Sequence, residues 1–138
     1  MWIYKKKEFK ESMIPENAIG FIYVMTVIIN GVLYKYIGKK NFYSDVKTKL
    51  KKNEVSLDKR IKKYKRVRKF TYENYYSSNS ELKEAHKKKI NIKREILLIC
   101  FSASELTYQE VKHQFKYEVL EKKEFLNGNI LGRFYKIK

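Results

Sequence analysis

An α+β domain is what this sequence predicts: a small, mostly antiparallel three-stranded sheet, made of an N-terminal hairpin plus a third strand, flanked by helices. Three observations carry the prediction. Two β-rich runs, Gly20 to Ile29 and Val32 to Ile37, flank Asn30-Gly31, a dipeptide suited to a two-residue hairpin turn. A third apolar run, Ile90 to Phe101, follows downstream. Beyond it, Ser102 and Glu105 have capping-box spacing, and Tyr108, Val111, Phe115 and Val119 form an apolar stripe on a helix from about Ser104 to Glu121.

The remaining segments fall around these three. Residues 1–17 mix Lys, Glu and aromatics without a period and read as an N-terminal extension ending at Pro15-Glu16-Asn17. Residues 18–138 then form a single domain, as the length of 138 residues allows. After Gly38 the composition turns basic, and Ser44 is placed to cap a helix over Asp45 to Lys52. Over residues 53–70, Leu57, Ile61, Tyr64 and Val67 recur at helical spacing amid many charges, so helix and loop are both open. Ser77-Ser78-Asn79-Ser80 is turn chemistry, and Ser80 is placed to cap a short helix from Glu81 to Lys88. Asn127-Gly128-Asn129 predicts a turn leading to an edge strand over Arg133 to Ile137.

Charge points to the partner. Lys and Arg outnumber Asp and Glu by 32 to 15, a net charge of +17, which implies a polyanion. Nucleic acid leads. The longest apolar run, Ala18 to Ile29, is too short to span hydrocarbon, which takes about 20 residues, so no membrane role is expected. The amino terminus runs from Met1-Trp2-Ile3-Tyr4 into Lys5-Lys6-Lys7 with no signal-peptide core, so export is not indicated and a cytoplasmic location is expected. Between Val46 and Phe70 twelve basic residues face only Glu54 and Asp58, marking a basic insert at about 46–70. Lys47, Lys49, Arg60, Lys63, Arg66 and Arg68 within it are expected to contact phosphates, with Tyr64 and Phe70 interleaved for stacking. No module for reading base edges is visible, so sequence preference should be weak.

Cys100 lies alone in an apolar run, so it reads as an inert core residue. His86 and His113 are far apart and lack cysteine partners, which argues against structural zinc.

The hairpin itself carries the chemistry. With Asn30 and Gly31 as the central turn residues, Ile29 pairs with Val32, Val27 with Tyr34, Met25 with Tyr36 and Tyr23 with Gly38. Tyr23 and Tyr36 then project from one face as diagonal neighbours beside Gly38, unless a bulge moves one of them.

Phe21-Ile22-Tyr23, followed after twelve residues by Tyr36-Ile37-Gly38, resembles the paired motif of the GIY-YIG nucleases. Phe21 for Gly is the one departure, with Gly20 just before it. Tyr36-Ile37-Gly38-Lys39-Lys40, Tyr75-Tyr76-Ser77-Ser78-Asn79 and Lys93-Arg94-Glu95-Ile96-Leu97 are similar to the phage Seg-type, homing-like endonucleases of that family. The resemblance implies a DNA endonuclease that hydrolyses phosphodiester bonds with Mg²⁺ or Mn²⁺; a binding protein on the same scaffold and an RNA-directed nuclease are the alternatives. If the chain is phage-encoded, the compartment is the host cytoplasm.

The resemblance also implies site residues. A motif tyrosine acts as base, with Tyr23 the first choice and Tyr36 hydrogen-bonding the phosphate or water; the reverse assignment is open. Positive charge from Lys39 and Lys40 would favour a phenolate. The metal-binding glutamate maps to Glu110, with Glu105 as fallback, and one carboxylate suits Mg²⁺, which keeps several waters. The family's phosphate-binding arginine has no counterpart at the expected spacing, where Val46 stands beside Lys47 and Lys49. Lys40 and Arg94 are the other candidate cations, although a lysine lacks the planar two-pronged contact of a guanidinium. The family's asparagine corresponds to Asn127 or Asn129, with Asn129 preferred.

Overall fold

The computed structural model of the chain describes residues 1–49 and 64–136. Its elements in chain order are β1 (Trp2–Tyr4), β2 (Lys7–Phe9), β3 (Gly20–Ile29), β4 (Val32–Asn41), β5 (Tyr43–Lys49), β6 (Tyr64–Phe70), α1 (Ser80–Lys87), β7 (Ile92–Cys100), α2 (Ala103–Lys116), β8 (Asn129–Ile130) and β9 (Phe134–Tyr135). The class is α+β, as expected.

The hairpin forms as its turn dictates. Asn30 and Gly31 take φ of 51° and 78°, the paired left-handed conformation that matches the twist of two antiparallel strands. The β3–β4 register runs unbroken from Ile29↔Val32 through Met25↔Tyr36 and Tyr23↔Gly38 to Gly20↔Asn41. A shift does occur between Ile22 and Tyr23, but in the pairing of β3 with β7, where Ile22 faces Leu98 and Tyr23 faces Ile96. The two phenols therefore stay on one face.

The sheet is larger than three strands and is mixed. Its order is β2-β1-β7-β3-β4, with β1 parallel to β7 and all other neighbours antiparallel. The two added strands come from the N-terminal lead-in. Trp2 supplies the reason, since its buried indole joins the apolar cluster of Phe9, Phe21, Tyr23, Phe42 and Tyr72 on one face of the sheet. The opposite face buries Ile22, Ile37, Cys100 and Leu106 with Val119, Phe125 and Ile130. Burial raises the Cys100 thiol to about 11, in keeping with an inert core residue.

Three local expectations are corrected. The segment after Ser44 is strand β5 rather than a helix, and it pairs with β6 through Val46↔Val67 as a two-stranded ribbon outside the main sheet. Ser44 caps nothing; its Oγ lies 2.9 Å from Thr71 Oγ1. The rest of the expected helix beyond Lys49, and residues 53–63, lie outside the described residues. Helix α1 is capped by Asn79, whose side chain accepts from the N–H groups of Glu81 and Leu82, and not by Ser80. The C-terminal strand is only β9, which pairs with β8 apart from the main sheet.

Helix α2 matters most for the site. Ser102 caps it as expected, accepting from the Glu105 N–H at 3.0 Å. Only half of the predicted stripe faces solvent, Tyr108 and Phe115 at 64% and 50% exposure, while Val111 is half-buried and Val119 is buried beyond the helix, which ends at Lys116 rather than Glu121. Leu106 and Gln114 are buried instead, with Glu110 midway between them on the same face. The edge of the sheet explains this rotation. β4 is an outer strand whose outward N–H and C=O groups need partners. Lys35 receives them from the backbone of Glu124 and Leu126, and Ile37 from the side chains of Gln114 and Asn127. Glu110 lies beside Lys39, whose ammonium and backbone N–H favour the ionised carboxylate. Among the described residues no helix is long and apolar enough to cross a membrane.

Candidate active site

Tyr23 and Tyr36 meet over Gly38. Their ring centroids are 6.3 Å apart with planes inclined by 33°. The approach is close enough that a Cβ on Gly38 would lie 2.6 Å from Tyr23 Oη and 3.0 Å from Tyr36 Cε1. A glycine is needed here for space.

The two phenols differ in access. Tyr23 is 1% exposed, and its hydroxyl donates to Ser77 Oγ at 3.3 Å and lies 3.4 Å from Tyr75 Oη. Burial drives its pKa far above that of a free phenol, and Tyr75 adds to the rise. Tyr36 is half-buried and borders an open cleft of about 380 Å³ together with Ser78, Asn79, Glu110, Gln114 and Asn129. Its pKa is also raised, first by burial, then by Tyr75 and by the Glu110 carboxylate. Glu110 is pushed above the usual carboxylate range by burial, against the opposing pull of the Lys39 ammonium and backbone N–H.

Tyr36, Glu110 and Asn129 share the cleft, and Tyr23 stands behind Tyr36. The Asn129 side chain is exposed, with its oxygen accepting from the Gly132 N–H at 2.9 Å. Asn127, its alternative, is 2% exposed and grips Ile37 at both ends, accepting from its N–H at 3.1 Å and donating to its carbonyl at 2.8 Å. Glu105 is taken up at the helix start, where its carboxylate accepts from the Phe101 N–H at 3.4 Å.

The cations separate into groups. Lys40 lies near the phenols, with Nζ 4.9 Å from the Tyr75 ring centre and 3.3 Å from Thr71 Oγ1, and burial lowers its pKa. Lys39 faces α2, donating to Thr107 Oγ1 at 2.9 Å. Lys47 and Arg68 are exposed on the ribbon, where Arg68 stacks on Tyr43 at 4.0 Å. Lys49 and Arg66 occupy backbone positions in the same ladder, opposite Tyr64 and Lys47. Arg60 and Lys63 lie outside the described residues. Arg94 is the correction: at 3% exposure, with its guanidinium donating to the carbonyls of Glu73 and Tyr75, it is not open to a phosphate.

Tyr75, Ser77 and Gln114 were not among the expected site residues. The first two sit in Tyr75-Tyr76-Ser77-Ser78-Asn79, a stretch that carried part of the family resemblance, and Ser77 takes φ of 74° while 4% exposed. A serine in the left-handed region is strained, and the cost is met by its Oγ, which accepts from both Tyr23 and the Asn79 N–H. Gln114 gave no signal, since a glutamine on a helix is ordinarily solvated.

Among the described residues no group of three His, Cys, Asp or Glu side chains converges. A metal here would rest on Glu110 alone, with neutral oxygen donors from the cleft. That donor set suits Mg²⁺ rather than zinc.

One measurable consequence concerns the edge of β4. Asn127→Ala leaves the buried Ile37 N–H without its partner, and the expected loss is about 1–3 kcal/mol in urea unfolding. An unchanged midpoint would show that water replaces the amide.

The family model described as "Putative endonuclease segE, GIY-YIG domain" matches residues 2–130. No curated protein and no solved structure matches the chain. The match begins at Trp2, so it takes in the N-terminal strands, the hairpin with its two phenols and the helix bearing Glu110. With nearly the whole chain covered and the motif tyrosines packed over Gly38, the protein belongs to the Seg-type GIY-YIG endonuclease family.

Proposed function

We propose that the protein is an Mg²⁺-dependent endonuclease acting on DNA, with Tyr36 and Glu110 at the reacting phosphate. The observation that carries this reading is their position on one open cleft, a phenol and the carboxylate facing it. Tyr36 is the better base on grounds of access, because Tyr23 is 1% exposed and fully engaged by Ser77 and Tyr75. As phenolate, Tyr36 takes a proton from water; the water oxygen bonds to phosphorus while the bond to the departing sugar oxygen breaks, and that oxygen is protonated by solvent. Tyr23 fixes the Tyr36 ring from behind, and Glu110 would hold the metal. Bound Mg²⁺ (or Mn²⁺) supplies positive charge to the phosphoryl oxygens and favours ionisation of Tyr36. Lys40 is the nearest candidate for the missing arginine.

Plasmid cleavage in Mg²⁺ against EDTA tests the reading. Because burial and Glu110 both raise the Tyr36 pKa, the rate should climb about tenfold per pH unit over the neutral to mildly alkaline range. Tyr36→Phe should cut at a small fraction of the parental rate with DNA affinity kept. Cleavage in EDTA, or a flat pH profile together with an active Tyr36→Phe, would refute this chemistry. Competition by RNA separates the RNA-directed alternative, and tight binding without cleavage the non-catalytic one.

The basic ribbon is proposed as the main hold on DNA. Lys47 and Arg68 are both exposed on the ribbon, and a net charge of +17 on the chain calls for a polyanion. Affinity should fall about 10²–10³-fold between 50 and 200 mM salt, as roughly five phosphate contacts require. Lys47→Glu with Arg68→Glu should flatten that dependence by about two contacts, while an affinity indifferent to salt would remove the ribbon from the interface.

A further inference from the structure

Residues 73–77 hold the innermost phenol, yet they belong to no helix or strand. Tyr75 and Ser77 are the hydrogen-bonding neighbours of Tyr23, and a segment of this kind needs something to keep it in place. Arg94 on β7 supplies it. One guanidinium nitrogen donates to the Glu73 carbonyl at 2.7 Å and to the Tyr75 carbonyl at 3.0 Å. The guanidinium lies 4.8 Å from the Trp2 ring centre and 4.1 Å from that of Tyr76, and Tyr76 stacks in turn on His86 at 3.7 Å. Trp2 adds its own bond, its indole N–H donating to the Tyr72 carbonyl at 2.9 Å.

A buried guanidinium is costly unless its charge and donors are met. Here two carbonyls accept from one terminal nitrogen and two aromatic rings lie beside the charge, and those carbonyls belong to no strand ladder. An apolar residue of the same size would fill the space and leave the segment untied. A lysine could reach a carbonyl, but it cannot lie flat between two rings and is more strongly hydrated.

We propose that Arg94, braced by Trp2, is a positioning residue of the active site, clamping residues 73–77 so that Tyr75 and Ser77 fix the Tyr23 phenol. The inference rests on the nuclease reading of the Tyr23 and Tyr36 pair. It makes β1, which precedes the hairpin in the chain, part of the support of the site.

Arg94→Lys is the test, with Trp2→Phe as the milder second variant should the first fail to fold. Val119→Ala, in the core on the opposite face, serves as a destabilised control. In Arg94→Lys the amides of residues 73–79 should exchange at least about tenfold faster than in the parent, with β3 unchanged. The Tyr23 ring resonances should shift, and kcat should fall about tenfold or more while KM for DNA holds within about twofold. Trp2→Phe should move all three readouts in the same direction by less, and Val119→Ala should leave residues 73–79 as they were relative to its other amides. Unchanged exchange or unmoved Tyr23 resonances would overturn the clamp, as would faster exchange with parental kcat. Should the parent cut no DNA, the nuclease reading fails separately, and exchange and the Tyr23 resonances still decide for or against the clamp.

Discussion

Gly38→Ala is expected to reduce cleavage by about 10²-fold or more and to cost about 1–3 kcal/mol of stability, the range for overpacking a tight site. The added methyl would sit 2.6 Å from Tyr23 Oη, 2.8 Å from its Cζ and 3.0 Å from Tyr36 Cε1, so a ring must move. Tyr23 has nowhere to go. Its ring meets Trp2 edge to face at 5.7 Å and Phe21 at 6.3 Å, and its hydroxyl is held by Ser77 and Tyr75. Displacement therefore falls on Tyr36, the phenol bordering the cleft. The cost is one of space and not of backbone conformation, which makes a rescue possible: adding Tyr23→Phe removes the hydroxyl at the shortest contact. The double variant should recover part of the lost stability without recovering cleavage. Urea unfolding and plasmid nicking read the two effects separately, and a Gly38→Ala protein with parental values of both would mean that the rings are not packed as described.

The hairpin was legible in the sequence because a two-residue Asn-Gly turn fixes the register of every pair above it, so Tyr23, Tyr36 and Gly38 came together without further information. Trp2–Tyr4 was not legible as a strand. Three residues show no period, and the partner lies some ninety residues away in β7, a pairing that local patterns do not carry. The ribbon was hidden by its own charge. The half-buried Val46 and Val67 pair across it, but Ser44 as a cap and the spacing of Leu57, Ile61, Tyr64 and Val67 suggested a helix instead. For α2 the expectation failed in an instructive way. Apolar spacing selected Tyr108 and Phe115, whereas the helix turns Glu110 and Gln114 inward because the exposed backbone of β4 needs polar partners. The same need explains Asn127, which looks like a turn residue in sequence and is a buried amide in the fold. Arg94 was recognised as a candidate cation from its neighbours in sequence, but it is buried with its guanidinium on two backbone carbonyls, which sequence does not reveal.

Glu110→Gln should move stability and activity in opposite directions. The folded protein holds this carboxyl above the usual carboxylate range because burial disfavours its ionised form. A carboxyl whose pKa is raised on folding contributes stability that is complete below its unfolded value, about 4.3, and is lost as pH rises through the folded value. At neutral pH without metal, the ionised side chain therefore weakens the fold. Gln keeps the shape without the buried charge, so the variant should melt above the parent at pH 7, with the gap closing as pH falls toward about 4. Cleavage should drop about 10³-fold, since the carboxylate is the only one lining the cleft among the described residues and metal-assisted charge stabilisation is worth several kcal/mol. Mg²⁺ should then raise the melting temperature of the parent and not that of the variant, because a ligand stabilises only the state that binds it. Equal Mg²⁺ effects on both proteins would place the metal elsewhere, and parental cleavage by the variant would remove Glu110 from the chemistry. Under the proposed metal role this cost has a reason, because a metal would need the charge of a carboxylate where a purely structural contact on that helix face could be made by a neutral glutamine, as at Gln114.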